Sequence, residues 1–558
     1  MNMDNKTVDL HVHSTRSDGT YTPTELVDYS MEKGLAAFAL TDHDTVAGLE
    51  EAIGYAASLR CKGMPAPEII PGIELSTEYH GKDIHIVGLF IDYHQKSFLK
   101  KLDEFVNSRI RRNQKMCALL REAGIGITYE QLLAQFPDGV ITRVHYARYL
   151  LAHGYIKTLN EAFERYIGDD CPYFIPREKV TPAQAIRLIQ DAEGIPVLAH
   201  PIVYRMEDRQ LDALVMELKA AGLMGIEAVY STHTQAQERQ VRGLAAKHHL
   251  LISGGSDFHG GAKPELDLGS GYGNLYVPEE LLNRIRKSRH SKLLFTDLDG
   301  TLLNDESSIS TIMKTALDQA IERGHQVIPA SGRPLLSILK LREELALTYP
   351  GMLVIAFNGA MVYDCDLGES LIEHCLSEEE VRYIDAEAAK FGIHVQGFSA
   401  TNIVCREQNE EIAFYTRRID LPVIYTEDIA AELASGTFKM TAVHLTDPSR
   451  LEAFRNHLAD YCNGRIQLLF SSDKYLEIFS ASTGKGEALN FIREHLHILP
   501  SHTYAAGDME NDISMLEAAH TAIALSNALP AVKAAADIVT SQDNNHDGLA
   551  EILKKQFL

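Results

Sequence analysis

Short apolar runs alternate with amphipathic stretches through the first 270 residues, and this alternation constrains the fold more than any other feature of the sequence. The run TVDLHVH is followed by PTELVDYSMEKG and then by LAAFALTDHD. The same rhythm returns at PEIIPGIELS, DIHIVGLFID, GIPVLAHP, GLMGIEAVYS and LLISGGSDFH. Strands separated by amphipathic helices are typical of βαβ units. The pattern therefore predicts an α/β fold with a mainly parallel sheet or barrel.

The alternation restarts at KSRHSKLLFTDLDGTLL, which predicts a domain boundary near residue 290. A chain of 558 residues exceeds the size at which a single core stops growing, so more than one domain is expected. Strand-like motifs fade after MLVIAFNGAMVYD and return at KYLEIFS. We predict a first domain over 1–290 with a small insertion at roughly 100–180, a second core over 291–370 and 466–558, and an inserted cap over 371–465.

The net charge of −24 disfavours adhesion to long nucleic acids, which requires cationic neutralisation of phosphates. The sequence lacks the roughly 18 consecutive apolar residues needed to span a bilayer, and the opening MNMDNKTVDL has no signal-peptide core. We therefore expect a cytoplasmic protein without membrane segments; its oligomeric state stays open.

A basic run contains Arg109, Arg111, Arg112 and Lys115. We expect it on a solvated helix face, although such a patch can also hold a short anionic ligand.

Histidines and acids recur at or just beyond the ends of the first-half strands. His11 and His13 point the same way, because side chains alternate along a strand, and can bind one metal ion together. The others are Asp18, His43, Glu74, His85, His200, Asp257 and His259. Strand ends converge at the mouth of a parallel barrel. So many imidazoles and carboxylates are costly in one pocket without cations. The sequence predicts roughly two or three divalent ions bridged by Glu74, of which Zn, Mn and Fe suit these ligands; the alternative is that these are unrelated surface or core residues.

The first half resembles the polymerase and histidinol phosphatase (PHP) family through DLHVHSTRSDGTYTPTEL, TDHDTVAG, GIELSTEYHGKDIHIVG, VLAHP and GSDFHG, over roughly residues 6–290. The resemblance implies a distorted seven-stranded (β/α) barrel. It also implies a di- or trinuclear metal centre bound by the six histidines and three acids of the preceding paragraph. The segments RVHYARYL and YIGDDCPYFIPRE are similar to nucleoside 3′,5′-bisphosphate phosphatases that also trim short RNA from its 5′ end. Attack by metal-bound hydroxide is then implied, with Arg143 and His145 as candidate phosphate contacts; alternatively, Arg143 caps or pairs on a surface helix.

A second set of acids follows the restart of the pattern. LLFTDLDGTLL places Asp297 and Asp299 directly after an apolar strand, and Gly300 permits a tight turn there. Two carboxylates at this spacing can divide the chemistry, because one can attack phosphorus while the other moves the leaving-group proton. GDMEND supplies Asp508 and Asp512 at another predicted strand end. Carboxylates suit Mg²⁺, so the sequence predicts a magnesium site here.

Two further motifs carry groups that suit a transferring phosphoryl group. Lys485 in STGKGEAL adds a fixed positive charge, and Ser331 in ASGRP offers a hydroxyl and loop amides. The order of these motifs over residues 292–558 resembles the haloacid dehalogenase (HAD) superfamily, and FNGAMVYD with a late cap resembles its Cof-like sugar-phosphate and nucleotide phosphatases. A Rossmann-like doubly wound domain with an inserted α/β cap is implied. The implied roles are nucleophile for Asp297, general acid/base for Asp299, phosphate ligands for Ser331 and Lys485, magnesium ligand for Asp508, and support of metal and phosphate for Asn511 and Asp512.

The sequence as a whole favours a bifunctional metal-dependent phosphohydrolase. Its first half would act on nucleoside 3′,5′-bisphosphates or short oligonucleotides, and its second half on a small phosphorylated metabolite through an aspartyl-phosphate. The alternative is a metabolite-sensing or regulatory fusion in which one site binds without turnover. A polymerase-associated proofreading module is a third interpretation, but nothing polymerase-like accompanies the motifs. Both halves keep every catalytic residue type, which favours two enzymes.

Overall fold

The computed structural model describes residues 6–137, 140–168, 171–175, 180–417, 419 and 421–558. The chain divides into two compact units, Met1–Arg289 and His290–Leu558. None of the described helices combines the length and apolar character that crossing a bilayer requires.

The first unit contains a sheet of seven strands and the helices that connect them. The strands are β1 (Val8–Val12), β2 (Ala37–Leu40), β3 (Glu68–Tyr79), β4 (Lys82–Leu89), β5 (Ile195–Leu198), β6 (Gly225–Tyr230) and β7 (Leu251–Gly255). The helices are α1 (Pro23–Glu32), α2 (Leu49–Cys61), α3 (Lys96–Glu122), α4 (Tyr129–Gln135), α5 (Arg143–Ala152), α6 (Leu159–Arg165), α7 (Pro182–Asp191), α8 (Asp208–Ala220), α9 (Gln235–Lys247) and α10 (Glu279–His290).

The seven strands pair in chain order and close into a distorted barrel. Neighbouring strands are parallel except around β4, which is antiparallel to both β3 and β5. Beyond β7 the chain returns to β1, where the Asp257 amide donates to the His11 carbonyl at 2.9 Å and the His13 amide donates to the Phe258 carbonyl at 3.0 Å. The barrel expected for the first half is confirmed, and its closure brings the last ligand-bearing segment against the first strand.

The helices cover the barrel with apolar faces, as the amphipathic periodicity predicts. Leu26 from α1 and Leu214 from α8 are buried with Phe38 and Ile73 of the sheet. Thr22 caps α1 because its hydroxyl accepts from the Glu25 amide at 3.2 Å. Helices α3 to α6 interrupt the alternation and form a separate apolar cluster that includes Met116, Leu120, Ile127, Tyr146 and Leu150.

The second unit contains the remaining elements. The strands are β8 (Leu293–Thr296), β9 (Gln326–Pro329), β10 (Leu353–Ala356), β11 (Met361–Asp364), β12 (Glu369–Glu373), β13 (His394–Phe398), β14 (Ile403–Cys405), β15 (Val423–Tyr425), β16 (Lys439–Val443), β17 (Ile466–Ser472), β18 (Tyr475–Ser480), β19 (Thr503–Gly507), β20 (Thr521–Ala524) and β21 (Ile538–Val539). The helices are α11 (Thr311–Glu322), α12 (Leu335–Glu344), α13 (Glu378–Phe391), α14 (Glu410–Tyr415), α15 (Ile429–Glu432), α16 (Pro448–Cys462), α17 (Lys485–His495), α18 (Ile513–Ala518), α19 (Pro530–Ala534) and α20 (Gly548–Gln556).

Five of these strands form a parallel core sheet in the order β21-β20-β19-β8-β9. Ala330 bridges Ile355 in parallel, which brings β10 beside the end of β9. Strands β10 to β12 then continue as antiparallel neighbours. The chain leaves β8 for β9 on one side and returns as β19 on the other, and ligands of doubly wound sheets bind outside the carboxyl ends at such a point. The expected Rossmann-like core is confirmed.

A second sheet of six strands, in the order β15-β14-β13-β16-β18-β17, forms the cap. Helices α13 and α16 pack on it through a buried cluster that includes Ile384 and Phe454. The cap boundary predicted at residue 465 is wrong, because Ile478 of β18 pairs with Met440 and Leu468 inside this sheet. The apolar run KYLEIFS indicates a buried strand, but periodicity does not tell which of two sheets that strand joins.

Candidate active sites

The predicted ligands of the first unit gather around the carboxylate of Glu74, which is 1% exposed. Its Oε2 oxygen lies 3.2 Å from each of three imidazole nitrogens, those of His11 Nε2, His13 Nε2 and His43 Nδ1. Its Oε1 oxygen lies 2.8 Å from His85 Nδ1 and 3.1 Å from His200 Nε2. These side chains come from successive strands of the barrel and meet at one acid.

The remaining two acids and the last histidine join the same cluster. Asp257 Oδ1 lies 3.2 Å from His13 Nε2, and His259 Nε2 lies 3.2 Å from Asp18 Oδ1. Three overlapping sets have ligand atoms within 4.8 Å of one another: His13, Asp18, His43 and His259; His11, His13 and Asp257; and His43, Glu74 and His85. The structure therefore brings all of the predicted metal ligands of the first half into one cluster.

The donor chemistry of this cluster fits divalent cations. Several buried atoms make no hydrogen bond among the described residues, namely His11 Nε2, His13 Nε2, Asp18 Oδ1, His43 Nδ1 and Glu74 Oε2. Leaving buried polar atoms without a partner costs about 1–3 kcal/mol each. Coordination of cations supplies the missing partners, because imidazole and carboxylate are the usual ligands of Zn, Mn and Fe.

The cluster contains a strongly shifted pKa and residues with unusual backbone angles. Burial would raise the pKa of Glu74, but the adjoining imidazoles of His43 and His11 hold that pKa well below its usual range. His200 and Asp257 have positive φ angles of 27° and 58°, in a region that residues with a Cβ rarely occupy. Gly255 is required by close approach, because a Cβ there would lie 2.5 Å from the Cβ of His11. Strain of this kind is typical of functional sites.

In the second unit, Lys485 stands between two of the predicted acids. Its ammonium lies 2.7 Å from Asp297 Oδ1 and 2.6 Å from Asp512 Oδ1. The other oxygen of Asp512 accepts from the amides of Asp508 and Met509 at 3.0 and 3.1 Å. Lys485 begins α17 and is 1% exposed. One buried cation thus fixes two acids that lie far apart in the sequence.

Asp297, Asp508 and Asp512 also form a candidate cation site, with ligand atoms within 4.8 Å of one another. Burial raises the pKa of Asp297 to about 8; Lys485 opposes this shift and Asp512 adds to it. Burial likewise raises the pKa of Asp508 to about 6. A divalent cation would favour the ionised carboxylates, and oxygen ligands suit Mg²⁺. Gly300, at φ 83°, makes the approach possible because a Cβ would lie 2.5 Å from Asp508 Oδ2.

The second site opens into a cavity of about 590 Å³ between the core sheet and the cap. Asp297, Asp299, Ser331 and Asn511 line its core side. The side chains that line it from the cap include Tyr415, Lys439, Phe470, Tyr475 and Glu477. Asp297 and Asp299 therefore face the cap.

Comparison with known proteins decides the family. Residues 9–166 match the model of the PHP domain, and residues 294–553 match that of haloacid dehalogenase-like hydrolases. The first half is 37% identical over 254 residues to a 5′-3′ exoribonuclease of Haemophilus influenzae, covering 46% of this chain and 90% of that protein. The chain joins a PHP domain to a HAD hydrolase. It is a phosphoric ester hydrolase.

Two further likenesses cover the two halves separately. The PHP half is 33% identical over 264 residues to a 3′,5′-nucleoside bisphosphate phosphatase of Chromobacterium violaceum, covering 47% of this chain and 90% of that protein. The HAD half is similar to a crystal structure of a haloacid dehalogenase-like hydrolase from Bacteroides thetaiotaomicron, with 27% identity and a TM-score of 0.45. That match covers 48% of this chain and 99% of the other.

Sequence reasoning missed the residues that orient the PHP ligands. Glu227 of β6 accepts from His11 Nδ1 at 3.0 Å and from the His200 amide at 2.8 Å. Tyr230 on the same strand donates to Asp257 Oδ2 at 2.8 Å. The signal for Glu227 was present, because it is an acid inside the apolar run GLMGIEAVYS. Outer partners of this kind fix the orientation of metal-binding imidazoles.

The two predicted phosphate contacts of the PHP half occupy different positions. Arg143 lines a cavity of about 310 Å³ beside the histidine cluster, where it pairs with Asp83 at 3.0 Å. His145 is not among the described residues that line this cavity. Its Nδ1 accepts from the Thr142 amide at 2.9 Å at the start of α5, and burial lowers its pKa to about 4. Residues 169–170 and 176–178 of the segment YIGDDCPYFIPRE lie outside the described residues.

The expectation of a solvated basic face is wrong for two of its members. Arg109 and Arg112 of α3 are only 3% and 5% exposed, and both line the PHP cavity. Arg109 Nε donates to Asp44 at 2.7 Å, and its Nη2 donates to Ser76 Oγ at 2.6 Å. The buried guanidinium of Arg109 needs the carboxylate of Asp44, because an unpaired buried charge would be costly in free energy.

In the HAD half, sequence reasoning missed Arg333 and Asn358. Arg333 Nε donates to Asp299 at 2.7 Å, so the proposed acid/base is held by a guanidinium two residues beyond Ser331. Asn511 donates to Asn358 Oδ1 at 3.1 Å. Both missed residues lie in quoted motifs, ASGRP and FNGAMVYD, and both line the cavity.

Proposed function

We propose that this protein is a bifunctional phosphohydrolase with two independent sites. The PHP half would hydrolyse nucleoside 3′,5′-bisphosphates or short oligonucleotides, as the names of its relatives suggest. The HAD half would remove phosphate from a small phosphorylated metabolite, a sugar phosphate or a nucleotide. The observation that carries the proposal is the convergence of three imidazole nitrogens on one oxygen of Glu74, at 3.2 Å each.

In the PHP half, the six histidines and three acids of the cluster would hold two or three ions of Mn, Zn or Fe. Bound cations of this type acidify a coordinated water and neutralise charge on phosphoryl oxygens. Glu227 and Tyr230 keep the ligands in place. Arg143 and Lys263, both in the cavity wall, carry positive charge that would attract the anionic substrate.

In the HAD half, the Asp297 carboxylate would attack phosphorus, forming an Asp297–phosphorus bond while the bond to the leaving oxygen breaks. Asp299 would give its proton to that oxygen. Water would then hydrolyse the aspartyl-phosphate, with Asp299 taking the proton from water. Lys485 and Ser331 would bind the phosphoryl oxygens, and Mg²⁺ held by Asp297, Asp508 and Asp512 would offset the negative charge of nucleophile and phosphate.

Reciprocal inactivation of the full-length protein tests the proposal. Asp297→Asn should abolish magnesium-dependent hydrolysis of p-nitrophenyl phosphate and leave hydrolysis of adenosine 3′,5′-bisphosphate intact. His11→Ala should have the opposite effect. Loss of both activities in either variant would contradict the presence of two independent sites.

The alternative is a fusion in which one site senses a phosphorylated metabolite without turnover. Steady-state release of inorganic phosphate distinguishes the two functions, because a sensing site binds its ligand and releases no product. With a panel of phosphoesters, phosphate release that is sensitive to His11→Ala in one case and to Asp297→Asn in another supports two enzymes. Release that depends on only one of these residues, while the other site still binds phosphoesters, supports the sensor.

A further inference from the structure

Lys439, the first residue of cap strand β16, is a buried lysine that the proposed chemistry does not use. Its side chain is 2% exposed, and it lines the cavity that contains Asp297 and Ser331. Its ammonium lies 2.7 Å from Glu477 Oε2 on β18 and 5.0 Å from the ring centroid of Phe398. Burial of an ammonium costs several kcal/mol unless such partners are present.

The remaining contact of Lys439 leaves the cap. Its Nζ donates at 3.2 Å to the carbonyl of Gly332, which belongs to the core. Gly332 stands between Ser331, the proposed phosphate ligand, and Arg333, which holds Asp299. The rest of this loop is fastened within the core, because the Ser331 amide donates to the Ile355 carbonyl at 2.9 Å. Lys439 therefore joins the cap to the loop that would bind the phosphoryl group.

The donor count separates two roles that a lysine facing an active site can play. An ammonium has three N–H donors and no acceptor. Two of those of Lys439 are hydrogen-bonded, to Glu477 and to the Gly332 carbonyl, and the ring of Phe398 lies against the ammonium. With two donors engaged by protein groups, one in the cap and one in the core loop, Lys439 is suited to hold the loop.

We infer that Lys439 is a positioning residue of the HAD site, which sets the Ser331–Gly332 loop for phosphate binding by tying it to the cap. The inference rests on the proposed phosphatase function of this site. It predicts that phosphate affinity depends on a cap residue that does not contact phosphate. It also predicts that Lys439 contributes more to the pairing of cap and loop than to the stability of the fold.

The test uses the full-length protein with Mg²⁺ and inorganic phosphate as the probe. In the double variant Lys439→Met/Glu477→Gln, no buried charge is left without a partner, and exchange of a buried ion pair for neutral groups is often neutral for stability. We expect an unchanged thermal midpoint, a phosphate Kd by calorimetry raised about tenfold, and a raised KM for p-nitrophenyl phosphate. Lys439→Arg keeps a charged donor and should restore part of the affinity.

A matched control is Lys390→Met, since Lys390 pairs with Glu387 at 2.6 Å on the cap surface and should leave the phosphate Kd unchanged. Wild-type phosphate affinity in the double variant would overturn the inference, as would an equal loss in Lys439→Arg. Failure of the proposed function gives a different result. In that case the wild-type protein would bind phosphate but show no p-nitrophenyl phosphate turnover that Asp297→Asn removes.

Discussion

Glu227→Gln tests the support of the PHP metal cluster with almost no change of shape. Glu227 is 3% exposed, and its carboxylate accepts from the ring of His11 at 3.0 Å and from the His200 amide at 2.8 Å. A glutamine keeps only one oxygen, so its NH₂ group must face one of these donors. A buried donor left without an acceptor costs about 1–3 kcal/mol. Loss of an outer partner of this kind typically lowers metal affinity about 10- to 100-fold.

Metal affinity of this variant can be measured by competition with a chromophoric chelator, together with hydrolysis of adenosine 3′,5′-bisphosphate. We expect both to fall by about 10- to 100-fold. HAD turnover of p-nitrophenyl phosphate on the same polypeptide should stay constant and serves as an internal control of folding. Glu238→Gln is the matched surface control, because Glu238 pairs with Arg242 on α9 and both side chains are partly exposed. Wild-type metal affinity in Glu227→Gln would show that Glu227 does not support the metal ligands.

Three further changes have directions fixed by the structure. Lys485→Met leaves the buried acids Asp297 and Asp512 without a counter-charge, so HAD turnover should fall about 100- to 1,000-fold while PHP turnover persists; equal rates would contradict the assigned role. Burial lowers the pKa of His325 to about 4, whereas the unfolded chain keeps the ordinary value of about 6.5. The free energy of unfolding is therefore highest above about pH 6.5 and falls as the pH falls toward 4, because the unfolded state binds the proton first. His325→Gln should weaken this pH dependence of the unfolding free energy, measured by urea titrations at several pH values. An unchanged pH dependence would contradict this role of His325. Phe38→Ala empties a fully buried position in β2 and should destabilise the PHP half by about 3–5 kcal/mol in urea unfolding, where a loss below about 1 kcal/mol would be inconsistent with its packing.

The strand ends made much of both sites predictable from the sequence. A short apolar run indicates a buried strand. The polar residue that follows the run lies at the edge of the sheet where the carboxyl ends of parallel strands meet. His43, His200 and Asp257 in the PHP half, and Asp297 and Asp508 in the HAD half, each follow such a run. Their convergence follows from topology, because β8 lies between β9 and β19 in the core sheet.

Residues whose role depends on a distant partner could not be found in the same way. Arg109 belongs to a polar helix face by composition, and only the fold brings it to Asp44, 65 positions earlier. His145 resembles a ligand in sequence, but it accepts from the amide of Thr142 three residues before it. The predicted end of the cap was wrong for a related reason, because β18 has the composition of a core strand. Local patterns report burial, whereas pairing is decided by long-range contacts.

The proposed presence of two separate metal-dependent sites on one chain can be tested by anomalous diffraction from crystals equilibrated with Mn²⁺. We expect at least two anomalous peaks among the histidines around Glu74, with ligand distances of about 2.0–2.3 Å. We expect a separate peak at Asp297, Asp508 and Asp512. Peaks remote from Glu74, or no peak at either cluster under saturating metal, would contradict the presence of these two metal sites.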